Sequence, residues 1–321
     1  MEEKKPLLII SGPTAVGKTE LSLNLCKEID GEVINADSMQ VYKGMDIGTA
    51  KISFEERMGI PHHLIDICEP TESFDVVRFQ SEAKKCIEEV LKRGHIPVLV
   101  GGTGFYIQAV LYDIDFSSEE PDEEYRRELM DYAKTHGEIA LHERLKEIDE
   151  ASANAIHPNN IKRVIRALEF YEKTHTPISE HNDEQRAKSS PYDFLYAVLT
   201  CDRQTLYERI DLRVDQMLDA GLVNEVKGLL YDGVTKEMTS MQGLGYKEIA
   251  GYLTGEYDLA EAVRILKRDT RHFAKRQLTW YKREKEVTYY DKFEFDSDVE
   301  LTEKILTDFK SKVYGREKTN V

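Results

Sequence analysis

The sequence predicts an α/β protein, with a P-loop-containing parallel-sheet core and a helical insertion domain. Three observations carry this prediction. A glycine-rich loop, 12–19, joins an apolar strand to a helix; further strand–helix units follow it; and the stretch 117–190 then contains no strand pattern. Because parallel strands need a crossover between them, strands that alternate with helices indicate a parallel sheet.

The glycine-rich loop follows the apolar segment 7–10 and opens a helix that continues to Ile29. It fits the pattern G-x-x-x-x-G-K-[ST]. Its backbone N–H groups, its lysine and the helix N-terminus bind phosphate groups, and the Thr19 hydroxyl can hold Mg²⁺. The sequence therefore predicts a phosphate or diphosphate site formed by Gly12, Pro13, Thr14, Ala15, Val16, Gly17, Lys18 and Thr19. The motif alone does not distinguish ATP from another phosphate ligand.

Two later strands are predicted to end near this loop. The strand 32–36 leads into Asp37, and the strand 96–100 leads into Gly101-Gly102-Thr103, with a short strand at 63–67 between them. Ligands of parallel sheets bind at the carboxyl ends of the strands. Many P-loop NTPases have an acid after a buried strand, but 96–100 lacks it. Asp37 is the acid present, and it is predicted to act as a base, with a turn or cap role as the alternative.

The insertion domain, 117–190, divides the core into 1–116 and 191–321. Helices are predicted at 121–136, 138–148 and 160–174, and 176–190 shows no periodicity. After it we expect a strand at 193–200, a helix at 203–220, a flexible turn at 242–247, a helix at about 258–285, a strand at 287–290 and a helix at 301–313. Basic residues lie on one side of the helix 160–174, where an ordinary solvated face is the alternative interpretation.

Charge and cysteine content exclude some classes of function. The net charge of −16, from 60 acidic and 44 basic residues, argues against nucleic-acid binding over the whole surface. The helix 258–285 is nevertheless basic and interleaved with aromatics, so it is a candidate RNA-binding face or an ordinary surface helix. The four cysteines are far apart and form no C-x-x-C pair, so we expect neither a zinc finger nor a disulfide framework. With no signal peptide or membrane span evident, we expect a cytoplasmic protein and, since nothing suggests an obligate interface, a monomer.

Together these motifs resemble those of the tRNA dimethylallyltransferases, also called tRNA isopentenyltransferases, in their short bacterial type. The matching segments are GPTAVGKT at 12–19, DSMQVYKGMDIGTAK at 37–51, GGTGFY at 101–106, HPNN at 157–160, 209–217, GLGYK at 243–247 and KRQLTW at 275–280. They occur in the family's order and span nearly the whole chain.

The resemblance implies transfer of a dimethylallyl group from dimethylallyl diphosphate to N6 of the adenosine 3′ of the anticodon, in tRNAs that read codons starting with U. It also implies a channel that the donor enters from one end and the flipped adenine from the other. The implied catalytic residues are Asp37, Thr103 and Arg213, with Mg²⁺ bound to Thr19. Whether Arg213 or Arg209 faces the diphosphate stays open.

The resemblance also implies a grip on the anticodon stem-loop of tRNA. The implied contacts are Asp37, Ser38, Met39, Gln40, Thr103, Arg126, Lys162, Arg163, Arg166, Gln242, Gly243, Gly245, Tyr246, Lys247, Lys275, Arg276, Gln277, Trp280 and Lys282. Two other functions remain open at this point: a P-loop nucleotide or small-molecule kinase, and a non-catalytic RNA-binding switch controlled by ATP.

Overall fold

A computed structural model describes residues 4–116 and 122–315 of the chain. The chain divides into two compact units. The core unit runs up to Leu111 and resumes at Pro191, and the insertion unit spans Tyr112–Ser190. The first residues of the predicted insertion, 117–121, lie outside the described residues.

The core unit contains one six-stranded sheet in which every pair of neighbouring strands is parallel. The strands are β1 (Lys5–Ser11), β2 (Gly31–Asn35), β3 (His62–His63), β4 (Ile96–Gly101), β5 (Tyr192–Thr200) and β6 (Val287–Asp291), in the order β3-β2-β4-β1-β5-β6. This confirms the predicted α/β fold class. The strand β1 lies between β4 and β5, so the loop that follows it opens near the middle of the sheet's carboxyl edge.

Thirteen α-helices occur in the described residues. They are α1 (Lys18–Ile29), α2 (Val76–Lys92), α3 (Gly104–Leu111), α4 (Glu123–His136), α5 (Glu138–Ile148), α6 (Glu150–Ala155), α7 (Ile161–Thr174), α8 (Ile178–Ala187), α9 (Arg203–Asp219), α10 (Leu222–Tyr231), α11 (Tyr246–Leu253), α12 (Leu259–Tyr281) and α13 (Asp298–Tyr314). None of those helices has both the length and the apolar composition needed to cross a lipid bilayer.

The central strand is buried on both faces, which explains its unbroken apolar sequence at 7–10. On one face, Leu8 and Ile10 belong to a core cluster with Leu25 of α1 and Phe309 of α13. This packing fixes the start of α1, and therefore the glycine-rich loop, against the sheet.

Two stretches predicted to be irregular contain helical residues. The segment 242–247 begins in a 3-10 turn (Ser240–Gln242) and ends in the first residues of α11, with the turn 243–245 between them. There Gly245 adopts a φ of 92°, and the Glu248 carboxylate accepts a hydrogen bond from its backbone nitrogen at 2.8 Å. The polar segment 176–190 likewise contains α8.

The insertion unit consists of α4–α8 packed around its own core of Leu129, Leu141, Leu145 and Val164. Asp149 caps α6 by accepting a hydrogen bond from the Ser152 nitrogen at 2.9 Å. The same carboxylate accepts hydrogen bonds from the nitrogen and the hydroxyl of Ser179, at 3.0 and 2.7 Å. This buried acid therefore joins the two short helices of the unit, α6 and α8.

Candidate active site

The glycine-rich loop, 12–19, leaves β1 and turns directly into α1. Gly12 has a φ of 144°, and a Cβ atom there would lie 2.6 Å from the Leu199 carbonyl oxygen. Gly17 starts α1 with a φ of 104°, in the left-handed region that favours glycine. The first N–H groups of the helix have no partner within it, and the helix dipole makes this end positive. These features are typical of a loop that binds an anion.

Lys18 lies across the loop. Its Nζ donates hydrogen bonds to the carbonyl oxygens of Gly12 and Pro13, at 3.0 and 2.8 Å. Burial and, to a smaller extent, the Arg213 guanidinium lower the pKa of Lys18 to about 8, while Asp37 opposes both effects. An anion bound at the loop therefore meets a cation that has already lost much of its hydration.

Two arginines of α9 reach this region. Arg209 Nε donates to the Ala15 carbonyl oxygen at 2.8 Å, and Arg213 Nη2 donates to the Thr49 carbonyl oxygen at 3.4 Å. Arg209 is exposed and Arg213 is half-buried. Burial lowers the pKa of Arg213, while Asp37 opposes the change. Arg213 is thus the more desolvated of the two cations.

Asp37 follows β2 in a tightly hydrogen-bonded turn. Its Oδ1 accepts a hydrogen bond from the Met39 nitrogen at 2.9 Å. The Asn35 side chain accepts from the Asp37 nitrogen at 3.2 Å and donates to the Asp37 carbonyl oxygen at 3.3 Å. Asn35 is buried and also donates to the Leu64 carbonyl oxygen at 3.0 Å. These bonds fix the carboxylate in position.

Thr103 connects the turn after β4 to the Asp37 turn. Its Oγ1 accepts a hydrogen bond from the Ser38 nitrogen at 3.2 Å, and its own nitrogen donates to the Ala36 carbonyl oxygen at 3.2 Å. The carboxyl ends of β2 and β4 therefore bring Asp37 and Thr103 together, at the edge where the loop after β1 also opens.

Two cavities of the core unit meet at these residues. The phosphate-side cavity, about 370 Å³, is lined by Gly17, Lys18, Thr19, Gln40 and Arg209 among others. The second cavity, about 310 Å³, is lined by Ser38, Met39, Thr103, Gln242, Gly243, Lys247 and Arg276 among others. Both cavities share Thr14, Ala15, Asp37, Arg213 and Phe273 as lining residues. A ligand in either cavity therefore contacts the same wall.

Comparison with known proteins identifies the family. A family model described as IPP transferase matches residues 40–284, and one described as isopentenyl transferase matches residues 5–66. The chain belongs to the IPP transferase family. It is 59% identical to a tRNA dimethylallyltransferase of Lachnoclostridium phytofermentans, over 95% of this chain and 98% of the relative. It is 50% identical to that of Alkaliphilus oremlandii, over 96% of this chain and 98% of the relative.

Solved structures agree with membership of the IPP transferase family. The full-length tRNA isopentenylpyrophosphate transferase of Bacillus halodurans is 45% identical, with a TM-score of 0.73, covering 98% of this chain and all of that one. A eukaryotic dimethylallyltransferase acting on tRNA is 33% identical, with a TM-score of 0.77, covering 98% of this chain and 77% of that one. None of these relatives is named a kinase, so the kinase alternative has no support.

Besides the half-buried Asp37, Ser38, Met39, Gln40 and Thr103, the implied tRNA contacts of the IPP transferase core unit fall into two groups. Gln242, Lys247, Lys275, Arg276 and Lys282 are exposed. Gly243, Gly245, Tyr246 and Gln277 are buried, and Trp280 is half-buried with its ring 6.1 Å from that of Phe105. The second group is therefore positioned to shape the site from within.

Tyr246 is anchored by an acid that sequence reasoning missed. The Tyr246 hydroxyl donates to Glu225 at 2.7 Å, and burial together with this acid raises the pKa of Tyr246. The same carboxylate accepts hydrogen bonds from the nitrogens of Asp46, Ile47 and Gly48, at 2.9, 2.8 and 3.0 Å. Glu225 thus holds the segment that carries Thr49 into the second cavity. It lies in α10, a helix that was not predicted.

The implied tRNA contacts of the insertion unit differ in their surroundings. Lys162, Arg163 and Arg166 are exposed on one side of α7. Arg126 of α4 instead donates two hydrogen bonds to the buried Glu169, from Nε at 3.0 Å and from Nη2 at 2.8 Å. An RNA phosphate would have to compete with Glu169 for Arg126.

The residues around Thr19 suit a magnesium ion. Thr19, in the first turn of α1, lines the phosphate-side cavity with Asp37 and Gln40, so oxygen donors face the same space. Among the described residues there is no cluster of three or more His, Cys, Asp or Glu able to hold a metal ion. Mg²⁺ often binds through one or two protein ligands together with phosphate oxygens and water, and the few oxygen donors beside Thr19 match this.

Proposed function

We propose that this chain is a tRNA dimethylallyltransferase that transfers the dimethylallyl group of dimethylallyl diphosphate to N6 of the adenosine 3′ of the anticodon. The carrying observation is that Asp37 and Arg213 line both the phosphate-side cavity and the second cavity. An anionic donor in the first and an adenine in the second would meet at these side chains. The names of the relatives support tRNA and a prenyl donor as substrates.

The chemistry follows from the charges at this junction. N6 attacks the first carbon of the dimethylallyl group, the carbon–oxygen bond to the diphosphate breaks, and the N6 proton passes to Asp37. An exocyclic amine is a weak nucleophile because its lone pair is conjugated with the ring, so its position matters as much as the base. Thr103, bonded to the Asp37 turn, helps to orient it.

The leaving diphosphate gains charge as the bond breaks. Lys18, the amide groups at the start of α1 and Arg213 stabilise that charge. Arg209, bonded to the loop at Ala15, stands at the outer side of the same cavity. Mg²⁺ on Thr19 would neutralise part of the diphosphate charge when bound.

The tRNA partner is held by its anticodon stem-loop. The exposed Gln242, Lys247, Lys275, Arg276 and Lys282 of the core unit, and Lys162, Arg163 and Arg166 of the insertion unit, supply polar and cationic groups for this grip. Extruding the adenine costs a few kcal/mol of unstacking, which these contacts offset. We propose that the enzyme acts in the cytoplasm as a monomer, on tRNAs reading codons that start with U.

One assay tests the proposal. Purified protein is incubated with undermodified tRNA and labelled dimethylallyl diphosphate, and in a parallel tube with labelled ATP. The expected result is label in tRNA from the prenyl donor only, located by nuclease digestion at the adenosine 3′ of the anticodon. Phosphate transfer from ATP without prenylation would overturn the proposal.

A further inference from the structure

Helix α12 presents two different surfaces. Lys275 and Arg276 are exposed, whereas the neighbouring Gln277 is only 6% exposed and Tyr281 only 1%. The resemblance groups Gln277 with the residues that contact tRNA. Its surroundings indicate a different role, because its amide faces the loops at the carboxyl edge of the sheet.

The oxygen and the nitrogen of the Gln277 amide form hydrogen bonds with two different loops. Its Oε1 accepts a hydrogen bond from the Thr14 nitrogen at 2.9 Å, and its Nε2 donates to the Gly102 carbonyl oxygen at 2.9 Å. The approach to Gly102 is so close that a Cβ atom there would overlap Gln277. One side chain therefore joins the glycine-rich loop to the turn that carries Thr103.

Tyr281, one helical turn further on, supports the same junction. Its hydroxyl accepts a hydrogen bond from Ser11 Oγ at 2.7 Å and lies 3.4 and 3.3 Å from the carbonyl oxygens of Gly12 and Gly102. Residues four apart on a helix lie on the same face. The buried face of α12 thus contacts the glycine-rich loop at two points, Gly12 through Tyr281 and Thr14 through Gln277.

We propose that Gln277 is a positioning residue that fixes the glycine-rich loop in the conformation that binds diphosphate, and that it does not contact tRNA. This inference rests on the proposed function. Thr14 and Ala15 line both cavities, so a shift of the loop at Thr14 changes the donor site and the shared wall together. Without the amide, the Thr14 N–H loses its partner and the Gly102 carbonyl keeps only the longer contact with the Tyr281 hydroxyl, which favours other loop conformations.

The test separates donor binding from tRNA binding. Gln277→Leu removes both hydrogen bonds at similar volume. Pyrophosphate with Mg²⁺ is titrated into the protein by calorimetry without tRNA, and unmodified tRNA is titrated separately without donor. We expect pyrophosphate affinity to fall about tenfold, as for the loss of a buried hydrogen bond, with tRNA affinity changed less than about twofold. Lys275→Ala, the exposed neighbour, is expected to show the opposite pattern.

Other results would overturn the assignment. A fall in tRNA affinity with unchanged pyrophosphate affinity would make Gln277 an RNA contact, and equal losses or no change in both would exclude specific loop positioning. If Gln277→Leu does not fold, Gln277→Met, which is unbranched and tolerated in cores, serves for the same comparison. Because pyrophosphate binding needs no turnover, failure of the prenylation assay with a positive result here would reject the proposed function alone.

Discussion

At the residue scale, the position of Asp37 is set by backbone hydrogen bonds. One carboxylate oxygen accepts from the Met39 nitrogen, and Asn35 holds the Asp37 backbone from the other side. A base held in this way needs little reorganisation before it accepts a proton, which favours catalysis by positioning.

Asp37→Asn is the sharpest single substitution, because an amide keeps the shape and the acceptor for Met39 but is no base. We expect kcat to fall by about 10²–10⁴-fold, with tRNA affinity nearly unchanged. Single-turnover rates and tRNA binding measure the two effects separately. Asp66→Asn is the matched control, since Asp66 pairs with Lys51 at 2.6 Å and lines neither cavity. An unchanged rate for Asp37→Asn would show that Asp37 is not the general base.

The sequence predicts the residues whose roles follow from their immediate neighbours along the chain. Lys18 follows from its motif, and Asp37 from its place after a strand. The partners of Tyr246 and Gln277 could not be predicted, because Glu225 and Thr14 approach them only through tertiary packing. A polar side chain in an amphipathic helix looks the same in the sequence whether it meets solvent or a buried loop.

At the element scale, α12 carries the exposed basic pair Lys275 and Arg276. Replacing both with alanine is expected to weaken tRNA binding and to reduce the slope of log affinity against log salt by roughly one to two. Binding measured at several salt concentrations gives this slope. Lys85→Ala, an exposed lysine on α2, is the control and should leave the slope unchanged. Equal slopes for all variants would mean that this face of α12 does not contact RNA.

The second prediction at this scale concerns two helical glycines, one in α3 and one in α10. A Cβ atom at Gly104, where α3 begins, would overlap the Trp280 ring, whereas one at Gly228 within α10 meets nothing within 4 Å. We expect Gly104→Ala to lower the free energy of unfolding by about 1–3 kcal/mol. Gly228→Ala should raise it by about 0.5–1 kcal/mol through helix propensity. Denaturant unfolding compares them, and similar effects of the two would contradict the close packing of α3 on α12.

Most strands and the long helices were predictable, but the short helices were not, and of the predicted short strand 63–67 only His63 lies in β3. The apolar runs at β1 and β4 and the stripes of α1 and α12 are long enough to show a period. Helix α11 begins after a glycine-rich stretch, and α8 is polar between Ile178 and Ala187, so neither helix shows an apolar period. The Glu248 carboxylate fixes the start of α11 by accepting a hydrogen bond from the Gly245 nitrogen.

At the scale of the whole molecule, each unit contains a buried acid that is ionised at neutral pH. In the core unit, burial alone would raise the pKa of Glu32, but hydrogen bonds from Arg93 and His63 bring it below its usual value. In the insertion unit, burial of Asp149 is likewise outweighed by the hydrogen bonds from Ser152 and Ser179, and its pKa is lowered.

The sign of the pH effect follows from these lowered pKa values. The stabilisation of the folded protein by ionised Glu32 and Asp149 is complete above the ordinary carboxyl pKa values of about 4. It is lost as the pH falls through their lower folded-state pKa values. Glu32→Gln should therefore flatten the fall in unfolding free energy below about pH 5, by at most about 1.4 kcal/mol per pH unit. Urea unfolding across this range measures the slope. Glu88→Gln, which changes a half-exposed carboxylate of α2 paired with Lys5, is the control, and identical slopes for the two variants would refute the effect.

The place of the insertion in the chain has a consequence for synthesis on the ribosome. Strand β1 pairs with β4 on one side and with β5 on the other, but the residues of the insertion are translated before β5. At ordinary rates of translation, roughly 4–16 s pass during which β1 has one open edge. An unpaired apolar edge invites aggregation. A nascent chain stalled within the insertion is therefore expected to be the species that most needs a chaperone.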